Sequence, residues 1–244
     1  MRNPAWHRDE IILALDLYFD QNRGSLDKKN PKIIELSNLL RSLPLFAQKP
    51  DPEKFRNPNG VTLKLSNFLA LDPAYSGTGM ERGSDLDREI FTRFSNNRDE
   101  LHSIANQIRQ VASNDDLREK VSKVEEDEVS IKESVIEGQI IYKLHKIKER
   151  DISIVHAKKK QVLVKNGYLD CEVCTFNFER FYGPFGKGFI ECHHRTPLSK
   201  FKMEVKTKLE DLALVCSNCH RMLHRNINAL TLEELKTKIE YGRA

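Results

Sequence analysis

Two Cys-x-x-Cys pairs, Cys171/Cys174 and Cys216/Cys219, constrain the fold of this chain more than any other feature. Each pair needs a tight turn to present both sulfurs to one ion. Two such turns, about forty residues apart, complete a tetrahedral thiolate set only if the chain between them folds back to where it began. Four thiolates leave no vacant coordination position, so the ion they imply is a structural Zn2+. The competing use of four cysteines, a disulfide framework, requires an oxidising compartment. Met1-Arg2-Asn3-Pro4-Ala5-Trp6 has no apolar core of the signal-peptide kind, and no run approaches the roughly 20 apolar residues of a membrane helix. The expectation is a cytoplasmic protein with no membrane partner. The fifth cysteine, Cys192, reads as a small buried side chain.

Histidines crowd the same stretch: His193-His194 between the two knuckles, and His220 and His224 after the second. The order CxxC, then His193-His194 followed by Arg195-Thr196-Pro197-Leu198-Ser199, then Leu212-Ala213-Leu214-Val215 running into CxxCH-x-x-x-H, resembles the HNH nuclease module. This is the ββα-metal endonuclease fold, in its zinc-stapled McrA-like form. The resemblance covers residues 165–225, roughly a quarter of the chain. The N-terminal stretch is similar to the segment that precedes HNH modules in bacterial proteins described as modification-dependent (McrA-type) restriction enzymes.

The chemistry can be built from the spacing. Phe189-Ile190-Glu191 reads as a strand that delivers His193 and His194 at its end, where neighbouring side chains point to opposite faces. One imidazole can then bind metal while the other faces substrate. His220 and His224 are four apart on a helix that starts at the second knuckle, so both project from one side. His193, His220 and His224 thus offer three nitrogen ligands, with positions left for water and a phosphate oxygen. Three imidazoles accept Zn2+, Ni2+, Co2+ or Mn2+, and Mg2+ fits the family's habit. The resemblance makes His194 the general base. Where the family has an Asn that orients this base, the chain has Asp211, whose carboxylate could accept a hydrogen bond from the non-catalytic ring nitrogen of His194. Asn218, the other candidate, reads as a turn residue of the second knuckle.

The partner that follows is double-stranded DNA. Arg195, Arg221 and Arg225, close to the histidines, and the run Lys158-Lys159-Lys160 are the candidates for phosphate contacts, against the plain reading of the run as a solvated face. By resemblance the role would be restriction of foreign or cytosine-modified DNA. The alternatives are a nicking endonuclease of a mobile element or phage, and a non-catalytic DNA-binding zinc protein whose histidines contact phosphates or fill a core.

With 244 residues, 39% hydrophobic and 31% charged, the chain is long enough for one large or two small cores. Its net charge of +4 is uneven: between Asp115 and Glu137 nine acids face four bases, a local −5 that leaves +9 on the rest. A basic remainder suits a polyanion. Apolar residues at helical spacing predict helices over 9–20, 32–43, 61–71, 86–94 and 100–111. The first of these carries a single apolar face of Ile11, Ile12, Leu15 and Phe19, and Asn57-Pro58 and Asn59-Gly60 read as a turn before the third. Trp6 and Tyr18 read as core, and the hints of DNA contact here are Arg56, Lys64 and Arg82, basic residues near loops. The stretch after residue 113 has apolar residues without clean heptads, which fits a charged connector packed on its neighbours or a dimerisation helix that would make the protein a homodimer. The class expected is α+β: a mainly helical N-terminal domain over 1–112 as a candidate for target recognition, a charged helical connector over 113–160, and an HNH endonuclease domain over 161–244.

Overall fold

The computed structural model describes residues 3–46, 48–49, 51–77, 83–124, 138–149, 151–196, 207–224 and 230–242. They divide into two compact units, one of the residues up to Lys123 together with Gly138–Ile141, the other built chiefly from Tyr142 onward. Arg82, Arg225 and the connector residues Ile131 and Val135, on which the dimerisation reading leaned, lie outside the described residues.

The first unit is helical, and local signals place its helices. α1 (Arg8–Phe19) begins at His7, whose ring accepts the Asp9 N–H while the His7 backbone N–H donates to Glu10 Oε2 at 2.7 Å. α2 (Pro31–Ser42) and α3 (Pro58–Leu69) start alike: Asn30 or Asn57 caps the first turn, and a proline follows where its missing N–H is of no consequence. α3 therefore begins three residues before the expected Val61. Asn-Pro, which breaks structure in general, is here a cap and a first helical residue. α4 (Asp85–Phe94) carries a reciprocal Ser84/Asp87 cap, and α5 (Arg98–Ser113) and α6 (Asp115–Ser122) follow.

The centre of this unit is α1, against which α2, α3, α4 and α5 pack. Ile11, Ile12, Leu13, Ala14 and Leu15 are all fully buried, so the single apolar face expected from the pattern is instead a complete circumference. A helix that is apolar all round belongs inside. Its first-turn acids go inside with it. Glu10 receives two bonds from Arg56, at 2.6 and 2.7 Å, and the same guanidinium donates to the carbonyls of Pro4 and Ala5 and lies 4.7 Å from the Trp6 ring centroid. Lys64 meets the buried Asp87 at 2.7 Å. Arg56 and Lys64, which their neighbourhood suggested as DNA contacts, are thus internal ion pairs. Tyr18 is core as expected, its hydroxyl donating to Asp72 at 2.6 Å. Removing one partner of a buried pair leaves the other charge uncompensated. Arg56→Ala is expected to lower the stability of this unit by about 3–5 kcal/mol, read as a fall in urea midpoint at constant slope.

The other buried acid of α1, Asp9, accepts the backbone N–H groups of Gln139 at 2.9 Å and Ile140 at 3.3 Å. It caps α7 (Gln139–Glu149), where a carboxylate complements the positive end of the helix dipole. The residue before, Gly138, has φ +95°, and a Cβ there would lie 2.3 Å from Asp9 Oδ1. Only glycine lets the carboxylate approach.

The second unit contains α8 (Ile152–Asn166), which ends on Gly167 in the left-handed region, then the first knuckle and the short α9 (Phe178–Tyr182). β1 (Glu191–His194) pairs antiparallel with β2 (Leu212–Val215), and α10 (Ser217–His224) and α11 (Leu232–Gly242) complete the unit. The residue after β1, Arg195, continues the pairing by donating its N–H to the Asp211 carbonyl. The hairpin is covered on both faces. Ala213 and Val215 pack with Cys171, Val173, Leu223, Leu232 and Leu235, while Leu214 packs with Leu169, Ile190 and Cys192 under Val155 and Val162 of α8. This is why β2 reads as an unbroken apolar run rather than an alternation. No described helix is long and apolar enough to cross a membrane.

Candidate functional site

The two knuckles converge. The sulfurs of Cys171, Cys174, Cys216 and Cys219 all lie within 4.8 Å of one another, and all four residues are free thiols. The first turn closes through Thr175 N–H to Cys171 C=O, with Thr175 at φ +63°, and the second through the start of α10. Burial pushes the Cys216 thiol up to about 11 and raises Cys219 as well. In Cys171 burial acts the same way, but the backbone N–H groups of Cys174, Cys216 and Val173 outweigh it and hold that thiol below its ordinary value. Four sulfurs this close fit a thiophilic dication, and the donor set is that of structural zinc. Cys192 takes no part: it is buried beneath the hairpin, and burial pushes it up to about 11.

The histidines form a second cluster. His193, His220 and His224 each bring a ring nitrogen within 4.8 Å of the others, together with a carboxylate oxygen of Glu149. Strand β1 carries His193, and one turn of α10 separates His220 from His224, whose Nε2 atoms are 3.0 Å apart. Glu149 closes the fourth side from the end of α7: its Oε1 is 3.1 Å from His193 Nδ1, and its Oε2 is 3.2 Å from His220 Nε2 and 3.5 Å from His224 Nε2. Behind His220, Nδ1 meets Glu191 Oε2 at 2.5 Å, and Glu191 is held in turn by the Ser217 hydroxyl at 2.5 Å. Burial would lower the pKa of His220, yet the carboxylates of Glu149 and Glu191 push it up to about 9. Three inward ring nitrogens and a carboxylate oxygen that converge on one point are a donor set for a divalent cation, so the cluster fits a second metal.

Glu149 and Glu191 were not foreseen. Glu191 carried a signal, since it lies two residues before His193 on the strand and so shares its face. Glu149 carried none, being one acid among many in a charged stretch.

His194 is buried, with Nε2 3.5 Å from the Thr207 hydroxyl and Nδ1 4.0 Å from Glu149 Oε1. Its backbone N–H lies 3.4 Å from the same oxygen. Asp211, expected to orient it, uses its carboxylate differently, accepting the Lys208 N–H at 2.8 Å within a short turn before β2. The residue opposite His194 in the hairpin is Leu212, one position further on, and the groups at the histidine's ring are Thr207 and Glu149.

The basic candidates part company. Lys158 is buried and donates to the Leu209 carbonyl at 2.9 Å, and Lys159 donates to the Gly188 carbonyl at 2.9 Å. Burial lowers the pKa of both. These two lysines staple α8 to the loops that flank the hairpin, whereas Lys160 is exposed. Arg195 pairs with Glu172, which also accepts the Leu214 N–H. Arg221 is exposed on α10 between the two helical histidines.

Comparison with known proteins agrees with this geometry. The family described as HNH endonuclease has a model that matches residues 171–226, a span that holds all four cysteines and all the clustered histidines but stops short of Glu149. No curated protein and no solved structure matches the chain significantly.

Proposed function

We propose that the chain is a metal-dependent DNA endonuclease that hydrolyses phosphodiester bonds at the cluster of His193, His220, His224 and Glu149. The observation that carries this reading is the convergence of three imidazoles and a carboxylate on one point, the imidazoles coming from a strand and a helix that lie within the residues matched by the HNH endonuclease model. When bound, a divalent ion supplies positive charge for the scissile phosphate and the departing oxygen. His194 is the general base. Glu149 Oε1 lies 4.0 Å from Nδ1, and Nε2, on the Thr207 side, is the nitrogen that takes a proton from water. The place expected of Asp211, beside the non-catalytic ring nitrogen, is Glu149's, and Thr207 borders the nitrogen that takes the proton. The exposed Arg221 and Lys160 are the DNA-phosphate contacts this site offers.

The finer reading is restriction of foreign or cytosine-modified DNA, with the first unit choosing the target. It is supported by the likeness of the N-terminal stretch to the segment that precedes the module in McrA-type enzymes. Plasmid cleavage tests both levels. Wild type and His194→Ala are compared with Mg2+, Mn2+, Co2+ or Ni2+ on unmodified, methylated and hydroxymethylated DNA. The base assignment predicts a fall of about 10²–10⁴-fold in rate with DNA binding retained. Cutting confined to modified DNA supports restriction, and cutting of every substrate removes that role. Binding without cutting by any form would replace the enzyme with a non-catalytic zinc protein. Nicked rather than linear product would speak for a monomeric, single-strand activity.

A further inference from the structure

We infer that Glu149 is a fourth protein ligand of the histidine site, and that it reserves the site for divalent ions that take six ligands, such as Mn2+, Co2+ or Ni2+, so that zinc bound there is silent. This deepens the endonuclease reading and rests on it for the catalytic consequence.

The assignment as ligand comes from which side of the rings Glu149 occupies. His220 has two ring nitrogens, and Glu191 already holds Nδ1 at 2.5 Å. Glu149 therefore meets the inward nitrogen, Nε2, at 3.2 Å, and it meets Nε2 of His224 at 3.5 Å and Nδ1 of His193 at 3.1 Å. A carboxylate that only oriented a ligand would stand behind the ring, as Glu191 does. Glu149 stands in front of three rings at once, where an ion would sit among all four groups. It is also buried, at 8% exposed.

The consequence follows from the donor count. Three nitrogens and one carboxylate oxygen make four ligands, which saturate tetrahedral zinc and leave no position for water or a phosphate oxygen. An ion that takes six ligands keeps two positions. Mg2+ also takes six, but it prefers an all-oxygen set, which this cluster is not. One chain would then sort two metals by donor type, zinc to the four thiolates and a harder transition ion to the imidazoles and carboxylate. Because Glu149 lies outside the matched residues 171–226, this selection is a property of the chain beyond its HNH segment.

The test uses the full-length protein carrying zinc in its four-cysteine site. Calorimetric titration with Mn2+, Co2+ and Zn2+ is run on wild type and Glu149→Gln, beside plasmid cleavage with each ion. Wild type is expected to bind all three at the second site and to cleave with Mn2+ and Co2+ but not with zinc. In Glu149→Gln, affinity at the second site should fall by more than the roughly 10- to 100-fold that outer-shell partners contribute, and zinc should now support cleavage. Retention of one tightly held zinc per chain shows that the variant is folded. Unchanged affinity in the variant overturns the ligand assignment, and zinc-supported cleavage by wild type equal to that with Mn2+ overturns the selection. Cleavage by wild type with none of the ions would defeat the endonuclease reading itself, and the calorimetric difference would still support Glu149 as a ligand.

Discussion

Cys219→Ser is expected to release the zinc of the four-cysteine site and unfold the second unit, while the first unit keeps its own melting transition. The exchange replaces one sulfur by oxygen and alters little packing, so a large effect isolates the metal. The apolar cluster that holds this unit is arranged around the thiols: Val173, Ala213, Val215, Leu223, Leu232 and Leu235 pack directly with Cys171, Cys216 and Cys219. A unit of about a hundred residues built on so few layers is marginal by itself. Structural zinc contributes an apparent 10–16 kcal/mol in small zinc domains, against the 5–15 kcal/mol of a whole domain's stability. Without the ion, Cys216 and Cys219 are buried thiols whose protons the site would have to keep. The two units report separately, because the only tryptophan, Trp6, lies in the first. Zinc content and protease resistance of the second unit should both collapse in the variant, and Trp6 fluorescence should hold its wild-type transition. A variant that kept its zinc, or a second unit that resisted protease after chelation of the wild type, would remove zinc from its structural role.

What could be read before the structure was whatever the chain states locally. The knuckles and the four-residue spacing of His220 and His224 each declare themselves within one turn, and so do the helix starts that depend on a cap and a proline. Relations across the chain leave no such trace. Glu149 precedes His193 by 44 residues and sits next to a segment with nine acids, where nothing distinguishes it from its neighbours except the fold. Arg56 and Lys64 looked like surface bases because charge is normally outside, and they are inside because Glu10 and Asp87 are there to meet them. The lysine run divides for the same reason: carbonyls of the hairpin's flanking loops engage Lys158 and Lys159 and miss Lys160. Asp211 was assigned by position in a family pattern, but a carboxylate next to a turn finds the nearest backbone N–H first. Asp211 apart, whose partner Lys208 is three residues away, the sites at which local reading failed are the ones where a partner lay far off in sequence.

His220→Ala separates the two metals and is the sharpest loss the site predicts. Alanine is well tolerated in a helix, and the backbone N–H of residue 220 would still donate to the Cys216 carbonyl, now at 2.9 Å, so α10 and the second knuckle should persist. The thiolate site keeps its four ligands. What disappears is a ring fixed on both sides, inward toward Glu149 and outward to Glu191. Metal content is expected to drop from two ions per chain to one, with unchanged thermal stability of the zinc-bound fold. Cleavage should fall by at least the roughly 10²–10⁴-fold that a positioned catalytic group supplies, and partial recovery at high Mn2+ would mark the loss as one of affinity. Glu191→Gln should be milder, about 10- to 100-fold in affinity for the second ion, because it removes the partner that aims the ring and leaves the ring itself. If His220→Ala bound the second ion as tightly as wild type, the cluster of His193, His220, His224 and Glu149 would be a packing arrangement, and the nuclease chemistry would have to be sought elsewhere in the chain.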